Sequence, residues 1–154
     1  MEAGIYAKKN KYQGFSAVSN QWSLAAAAPG INTNSDPTLE KMTDEFYQWH
    51  TKTKMPAIPY SSTASGFFEK LFNFGRDNVN KAYVNERNLN IYEDLLRLKD
   101  RYNVSLYTLS LACMLNQPFD VIPISSVRNI EQLNGFLQAS DIIIEDNFFE
   151  KLII

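Results

Sequence analysis

Short apolar runs alternate along this chain with longer stretches in which apolar residues recur every three or four positions. The clearest run contains Val121, Ile122 and Ile124, and it predicts a buried strand. Two earlier runs, at Phe15 to Val18 and at Met55 to Pro59, predict two further strands. Because helical patterns separate the runs, the sequence favours parallel βαβ units and an α/β fold class.

Capping residues and apolar stripes mark the helices. A first helix is expected from Glu2 to Lys11, and a second begins where Asp36 can cap and Pro37 can take the first helical position. A polar excursion from Glu69 to Asn88 precedes an amphipathic helix, and Ser105 caps the helix after that. The apolar stripes are Leu39, Met42, Phe46 and Trp49; Ile91, Leu95, Leu98 and Tyr102; and Leu106, Leu109, Ala112 and Leu115. A further short helix is expected over Glu145 to Leu152.

The segment after the third predicted strand has the features of an anion-binding site. A polar turn at Ser125 and Ser126 leads to Asn129, which can cap a helix, and Gln132 follows three residues later as in a capping box. The start of a helix presents unpaired N–H groups and the positive end of its dipole, and Arg128 adds a fixed charge. An ordinary βα unit with a solvent-exposed arginine has the same pattern, so both interpretations stay open here.

The three predicted strands all end in polar residues. The exits are Ser19-Asn20-Gln21, Tyr60-Ser61-Ser62 and Ser125-Ser126-Val127-Arg128. In parallel sheets the carboxyl ends of the strands meet at one edge, where ligands bind. Together the three exits predict a binding site more strongly than any one of them does.

Composition limits the class of partner. The chain has 154 residues, 45% of them hydrophobic, which suits one globular domain, and its net charge of −2 gives no basic field for nucleic acid. No apolar run reaches the ~20 residues of a membrane span. The lone Cys113 lies in an apolar run and predicts a reduced core residue and a cytoplasmic location. The one histidine, His50, is expected to face solvent, and no metal site is predicted.

Several motifs resemble the C-terminal half of an aldo-keto reductase. They are SNQWSLA at 19–25, AIPYSSTASGFF at 57–68, LSLACMLNQPFDVIPISSVRNIEQL at 109–133 and ASDI at 139–142, in the order and spacing of that family. The resemblance implies part of a (β/α)₈ TIM barrel that reduces carbonyl compounds with a nicotinamide dinucleotide, usually NADP(H), with NAD(H) as the alternative. By this likeness residues 1–154 run from the end of helix 5 through strand 8, helix 8 and the tail, about three βα units.

The resemblance also implies the cofactor contacts. Gln21 matches the glutamine that hydrogen-bonds the nicotinamide carboxamide, and Tyr60 matches the aromatic residue that stacks on the nicotinamide ring. Arg128 matches a contact to the adenosine 2′-phosphate and favours NADP(H), whereas Phe136 stands where relatives carry an asparagine near adenine. The other implied contacts are Ser61, Ser62, Thr63 and Gly66 around the pyrophosphate, and Ser126 and Gln132 at the 2′-phosphate.

The catalytic aspartate, tyrosine, lysine and histidine of the family have no counterpart in the matched motifs. The resemblance therefore implies that the chain binds cofactor but reduces a carbonyl substrate only as part of a complete enzyme. The alternative is a non-catalytic nucleotide-binding or interaction module. In either case an incomplete barrel exposes sheet edges, which predicts self-association.

Overall fold

Three extended segments lie side by side and parallel in the structure, a computed structural model that describes residues 2–33, 36 and 38–144. The second segment (residues 57–60) lies between the first (residues 18–22) and the third (residues 121–124). Isolated parallel bridges join Val18 to Ala57, Gln21 to Tyr60, and Ala57 to Val121. The second and third predicted strands correspond to paired extended segments, whereas the first was placed too early: of Phe15 to Val18 only Val18 forms a bridge, and Gln21, predicted to follow the strand, is itself paired. The described residues contain no continuous strand.

Proline explains part of this interrupted pairing. Ala57 donates its backbone N–H to Asp120, and its carbonyl accepts from Ile122, as a parallel ladder requires. The next donor toward the third segment should be residue 59, but Pro59 has no N–H. The ladder resumes only where Ile124 donates to the carbonyl of Pro59 at 2.8 Å.

Six α-helices occur in the described residues. They are α1 (Glu2–Lys9), α2 (Asp44–Thr53), α3 (Phe67–Phe74), α4 (Glu86–Tyr102), α5 (Leu106–Leu115) and α6 (Ile130–Gln138). Short 3₁₀ helices cover Arg76–Asn78, Lys81–Tyr83 and Ala139–Asp141. Helix α2 connects the first two segments, α3 to α5 connect the second to the third, and α6 follows the third. The short helix expected over Glu145 to Leu152 lies outside the described residues.

The predicted helix start at Asp36 was wrong. Helix α2 begins at Asp44, where the hydroxyl of Thr43 accepts the N–H of Phe46 at 3.2 Å. The carboxylate of Asp36 instead accepts the backbone N–H and the hydroxyl of Thr38, at 2.8 and 2.7 Å. This local turn competes with a helix for the aspartate side chain.

The residues between that turn and α2 are extended because they pair with the first segment. Gln21 donates its N–H to the carbonyl of Glu40, and Met42 donates to the carbonyl of Gln21, both at 2.9 Å. Leu39 and Met42 therefore do not belong to the α2 stripe.

Helix α5 is the centre of the core. Residues Leu106 and Thr108 to Met114 are all buried, so the helix is enclosed on every side, as its uniformly apolar sequence favours. Helices α3, α4 and α6 pack around it. Cys113 is one of its fully buried residues, which confirms the prediction that it lies in the core.

A second, smaller hydrophobic cluster contains Phe119, whose ring contacts His50. The prediction that His50 faces solvent was therefore wrong. His50 is 0% exposed, not solvent-facing, and its ring stacks on Phe119 with centroids 5.0 Å apart. Its Nδ1 lies 2.7 Å from the carbonyl oxygen of Met55. The imidazole thus ties the end of α2 to the chain that enters the second segment.

Among the uncovered apolar surfaces of the described residues are those of the third segment and of α6. Ile122 and Ile124 of the third segment are 58% and 54% exposed, so the prediction of a fully buried strand holds only for Val121. Helix α6 has no buried residue, and its stripe of Ile130, Leu133 and Leu137 faces outward. No helix in the described part of the chain is both long and apolar enough to cross a membrane.

Candidate functional site

A cavity of about 520 Å³ opens where the second and third segments end. Its walls come from the turn after the second segment, one face of α3, the first turn of α5, and the loop and first turns of α6. This volume lies within the range of about 300–1,000 Å³ usual for ligand pockets.

Three helices begin at this cavity. Gly66 precedes α3, while Ser105 and Asn129 cap α5 and α6 by accepting the N–H groups of Thr108 and Gln132. All three caps line the cavity. The positive ends of three helix dipoles therefore point toward one space, which favours an anion there.

Two cations and two carboxylates line the same space. Arg128 is exposed, and neither its guanidinium nor the ammonium of Lys70 makes an ion pair or hydrogen bond within the described residues. Glu69 is engaged: it accepts the N–H of Tyr107 at 3.2 Å and the amide of Asn73 at 3.0 Å. The fourth charge, Glu131, is exposed in the first turn of α6.

The loop that carries Arg128 is fixed by its backbone. The N–H of Arg128 donates to the side-chain oxygen of Gln132 at 2.9 Å, and the N–H of Gln132 donates to Asn129 at 2.8 Å. Half of the predicted capping box is thus present: Asn129 caps the helix, but the Gln132 side chain accepts the N–H of Arg128 and not that of Asn129. This arrangement holds the main chain of Arg128, while its side chain stays exposed.

The turn after the second segment adopts a left-handed backbone. Ser61, Ala64 and Ser65 have positive φ angles of 55°, 48° and 57°, and Gly66 follows with φ of 74°. Ser62 is buried, and its hydroxyl donates to the carbonyl of Ile124 at 2.8 Å. This bond clamps the turn to the third segment, so the hydroxyl of Ser62 serves the scaffold.

The structure brings together most of the residues predicted to bind the phosphates. Those lining the cavity are Thr63, Gly66, Ser126, Arg128 and Gln132. Ser61 and Ser62 belong to the same turn but do not line the cavity. The two nicotinamide residues predicted from the resemblance, Gln21 and Tyr60, lie elsewhere.

Gln21 and Tyr60 are neighbours on the first and second segments. A parallel bridge joins them, and the N–H of Trp22 donates to the carbonyl of Tyr60 at 3.2 Å. Gln21 lines a separate cavity of about 150 Å³ and its amide nitrogen and oxygen lie 3.0 and 3.2 Å from the hydroxyl of Thr33. That hydroxyl orients the amide of Gln21 at the wall of this smaller cavity.

Comparison with models of known protein families identifies the family of this chain. The model of the Aldo/keto reductase family matches residues 2–153 of the 154 in the chain. The chain belongs to the aldo/keto reductase family. Members of this family are oxidoreductases of the TIM-barrel fold that use NAD(P)H and carbonyl substrates. No curated protein sequence gave a significant match.

The cavity fits the phosphate chemistry of an aldo/keto reductase cofactor. Arginine offers a planar fork of donors to phosphate oxygens, and lysine offers a point charge. Arg128 and Lys70 supply one of each beside the start of α6. The donor set therefore suits an anionic group better than an uncharged one.

Sequence reasoning missed several residues of the cavity. Lys70, Glu69, Tyr107 and Gly135 all line it, yet none was singled out. The cap at Ser105 located the start of α5, which was the available signal for Tyr107 two residues later. Nothing local in the sequence indicates that this helix start faces the loop after the third segment.

Proposed function

We propose that this chain is the cofactor-binding, C-terminal part of an aldo/keto reductase (β/α)₈ barrel. Residues 1–154 would run from the end of the barrel's helix 5 through its strand 8, helix 8 and tail. The order of the three parallel segments and the position of the cavity at their carboxyl ends support this assignment.

The cofactor is NADP(H), with its adenosine 2′-phosphate at the start of α6. The observation that carries this proposal is the guanidinium of Arg128, which lines the cavity with no partner among the described residues. Ser126 and Gln132 contribute further polar groups to the same wall. NAD(H), the alternative cofactor, lacks the 2′-phosphate and would leave Arg128 without a ligand.

The nicotinamide end extends toward Gln21 and Tyr60. Their bridge places an amide and an aromatic ring on adjacent segments, as recognition of a carboxamide-bearing ring requires. Bound NADPH supplies the hydride that reduces a carbonyl group in the complete enzyme. The residues of this chain bind and orient the cofactor, and the thiol of Cys113 in its core supports a cytoplasmic location.

The chain alone binds the dinucleotide without reducing a carbonyl substrate. Its one histidine is held in the core against Met55 and Phe119, away from the cavity, and cannot exchange protons with a substrate there. The second candidate function, a non-catalytic nucleotide-binding module, follows from the same observation. Assays of NADPH oxidation with short aldehydes test both candidates, since steady turnover by this chain alone would refute both.

Titration calorimetry with NADPH and NADH tests the cofactor assignment. Arg128→Ala should weaken NADPH binding by at least tenfold, because a hydrogen bond to a charged group contributes about 1.5–3 kcal/mol. NADH binding should change little. Arg128→Lys keeps the charge and should fall between the two. The matched control is Arg76→Ala, which removes the same charge from an exposed site away from the cavity.

Equal losses for NADPH and NADH in Arg128→Ala would contradict the 2′-phosphate assignment. An equal loss in Arg76→Ala would show that overall charge, and not the cavity, determines affinity.

A further inference from the structure

The ring of Tyr107 lies between the hydrophobic core and the cavity. It is half-buried, packs against the main core cluster and lines the cavity wall. Its backbone N–H donates to Glu69 at 3.2 Å, and its hydroxyl lies 3.1 Å from the hydroxyl of Ser125. The ring is thus held at both ends, with its uncovered part toward the cavity.

This position suits a planar, apolar ligand group. Nucleotide bases stack on aromatic side chains, and tyrosine loses little conformational freedom when it provides such a surface. Holding the ring in place before the ligand arrives lowers the entropic cost of binding.

A second observation concerns Phe136, which does not provide a stacking surface in the cavity. By the resemblance described above, Phe136 stands where aldo-keto reductases carry an asparagine near adenine. In this structure Phe136 packs against the core cluster and is not part of the cavity wall. The base of a bound dinucleotide therefore needs another contact, and Tyr107 is an aromatic residue that the cavity offers.

We propose that Tyr107 is the stacking surface for the adenine base of the dinucleotide. The proposal rests on the proposed function, since it assumes that the adenosine phosphate lies at Arg128. Ser125, which meets the Tyr107 hydroxyl, begins the loop that carries Ser126 and Arg128. The base surface and the phosphate-binding loop are therefore joined by one hydrogen bond, which fixes their separation.

Two probes separate base recognition from phosphate recognition. Adenosine 2′,5′-bisphosphate carries the base and the phosphates, whereas inorganic pyrophosphate carries no base. Tyr107→Leu should weaken binding of the bisphosphate by at least fivefold, with about a hundredfold as the upper end, because stacking contributes about 1–3 kcal/mol per base. Binding of pyrophosphate should stay within about twofold of the wild type. Tyr107→Phe keeps the ring and should retain most of the affinity.

Tyr102 provides the matched control. It is also a half-buried tyrosine on the main core cluster whose hydroxyl is bonded, here to the carbonyl of Ile143 at 2.8 Å, but it does not line the cavity. Tyr102→Leu should leave both affinities unchanged. In NMR spectra, the upfield ring-current shifts of the adenine H2 and H8 protons should persist in this control and disappear in Tyr107→Leu.

The outcomes distinguish this inference from the function on which it rests. If Arg128→Ala weakens the bisphosphate while Tyr107→Leu does not, the phosphate site stands and the stacking role is refuted. The stacking role is also refuted if Tyr107→Phe loses as much affinity as Tyr107→Leu. A wild type that binds pyrophosphate but not the bisphosphate would refute both the stacking role and the 2′-phosphate site. Failure of the wild type to bind either probe would overturn both proposals.

Discussion

Replacing Gly135 with alanine tests how closely α6 must approach α5 to form the cavity. Gly135 lies in α6, and a Cβ atom there would be 2.7 Å from the hydroxyl oxygen of Thr108 and 4.0 Å from that of Ser105. Thr108 is fully buried, and its hydroxyl lies 2.9 Å from the Ser105 hydroxyl that caps α5. The Thr108 hydroxyl therefore cannot move away from an added Cβ without disturbing the cap of α5.

The expected magnitude comes from two opposing effects. Alanine is about 1 kcal/mol more favourable than glycine in a helix interior. Ordinary contact distances begin at 3.4 Å, so the helices must separate by about 0.7 Å at this point. Overpacking of this kind costs about 1–3 kcal/mol, and a weakened hydrogen bond adds roughly 0.5–1.5 kcal/mol. We therefore expect Gly135→Ala to lower the free energy of unfolding by about 1–2 kcal/mol.

A double-mutant cycle measured by urea unfolding isolates the close contact. Thr108→Ala removes the hydroxyl, so in that background Gly135→Ala should stabilise the protein by about 1 kcal/mol through helix propensity. The coupling between the two positions should be about 2 kcal/mol or more. Gly4→Ala is the control, because Gly4 lies within α1 and nothing lies within 4 Å of its added Cβ. It should only raise helicity.

Additive effects of the two substitutions would refute this reasoning. So would a stabilisation by Gly135→Ala in the wild-type background equal to that of Gly4→Ala. Either result would mean that α6 can shift freely on α5, and the cavity wall would then be less defined than the structure indicates. Binding of NADPH should weaken in Gly135→Ala if the separation widens the cavity.

Two further predictions concern the core and the uncovered surface. Burial raises the pKa of the Cys113 thiol, so above about pH 8.5 only the unfolded chain releases that proton, and the free energy of unfolding falls as the pH rises. In urea unfolding between pH 8 and 10, Cys113→Ala should therefore lose less stability with pH than the wild type. An equal dependence on pH in both proteins would contradict the raised pKa. Ile122 and Ile124 expose an apolar surface on the third segment, so sedimentation should show association of the 17.6 kDa chain. Ile124→Asp should reduce this association more than Ile143→Asp, a control at an exposed site on another segment. A wild-type monomer at all concentrations would remove the basis for this expectation.

The features that could be predicted from the sequence are local ones. Ser105 and Asn129 each accept a hydrogen bond from the N–H three residues later, as their residue types and spacing indicated. The apolar stripe from Ile91 to Tyr102 is likewise helical, because its apolar residues recur every three or four positions within one segment of the chain. Such patterns depend on neighbours within one or two turns.

The incorrect predictions depended on distant partners. Asp36 followed by Pro37 has the form of a helix start, but the residues after it pair with Gln21, about twenty positions earlier. His50 follows a polar pattern, yet the ring of Phe119 covers it, almost seventy positions later. Single-sequence rules assign a side chain to the surface from its local composition, and they contain no information about which distant ring will cover it.

The cavity shows the same limit at the level of function. Thr63 and Arg128 lie 65 positions apart in the sequence, and they meet because parallel segments bring their carboxyl ends to one edge. The strand exits predicted that edge, and the family resemblance assigned individual residues to the cofactor. Lys70 and Tyr107 belong to none of the matched motifs, and only the structure places them beside the loop of Arg128. A site assembled from helix starts therefore contains two kinds of residue: those that a family motif predicts, and those that become neighbours only after folding. Tyr107 is of the second kind, and our proposal for the base rests on it.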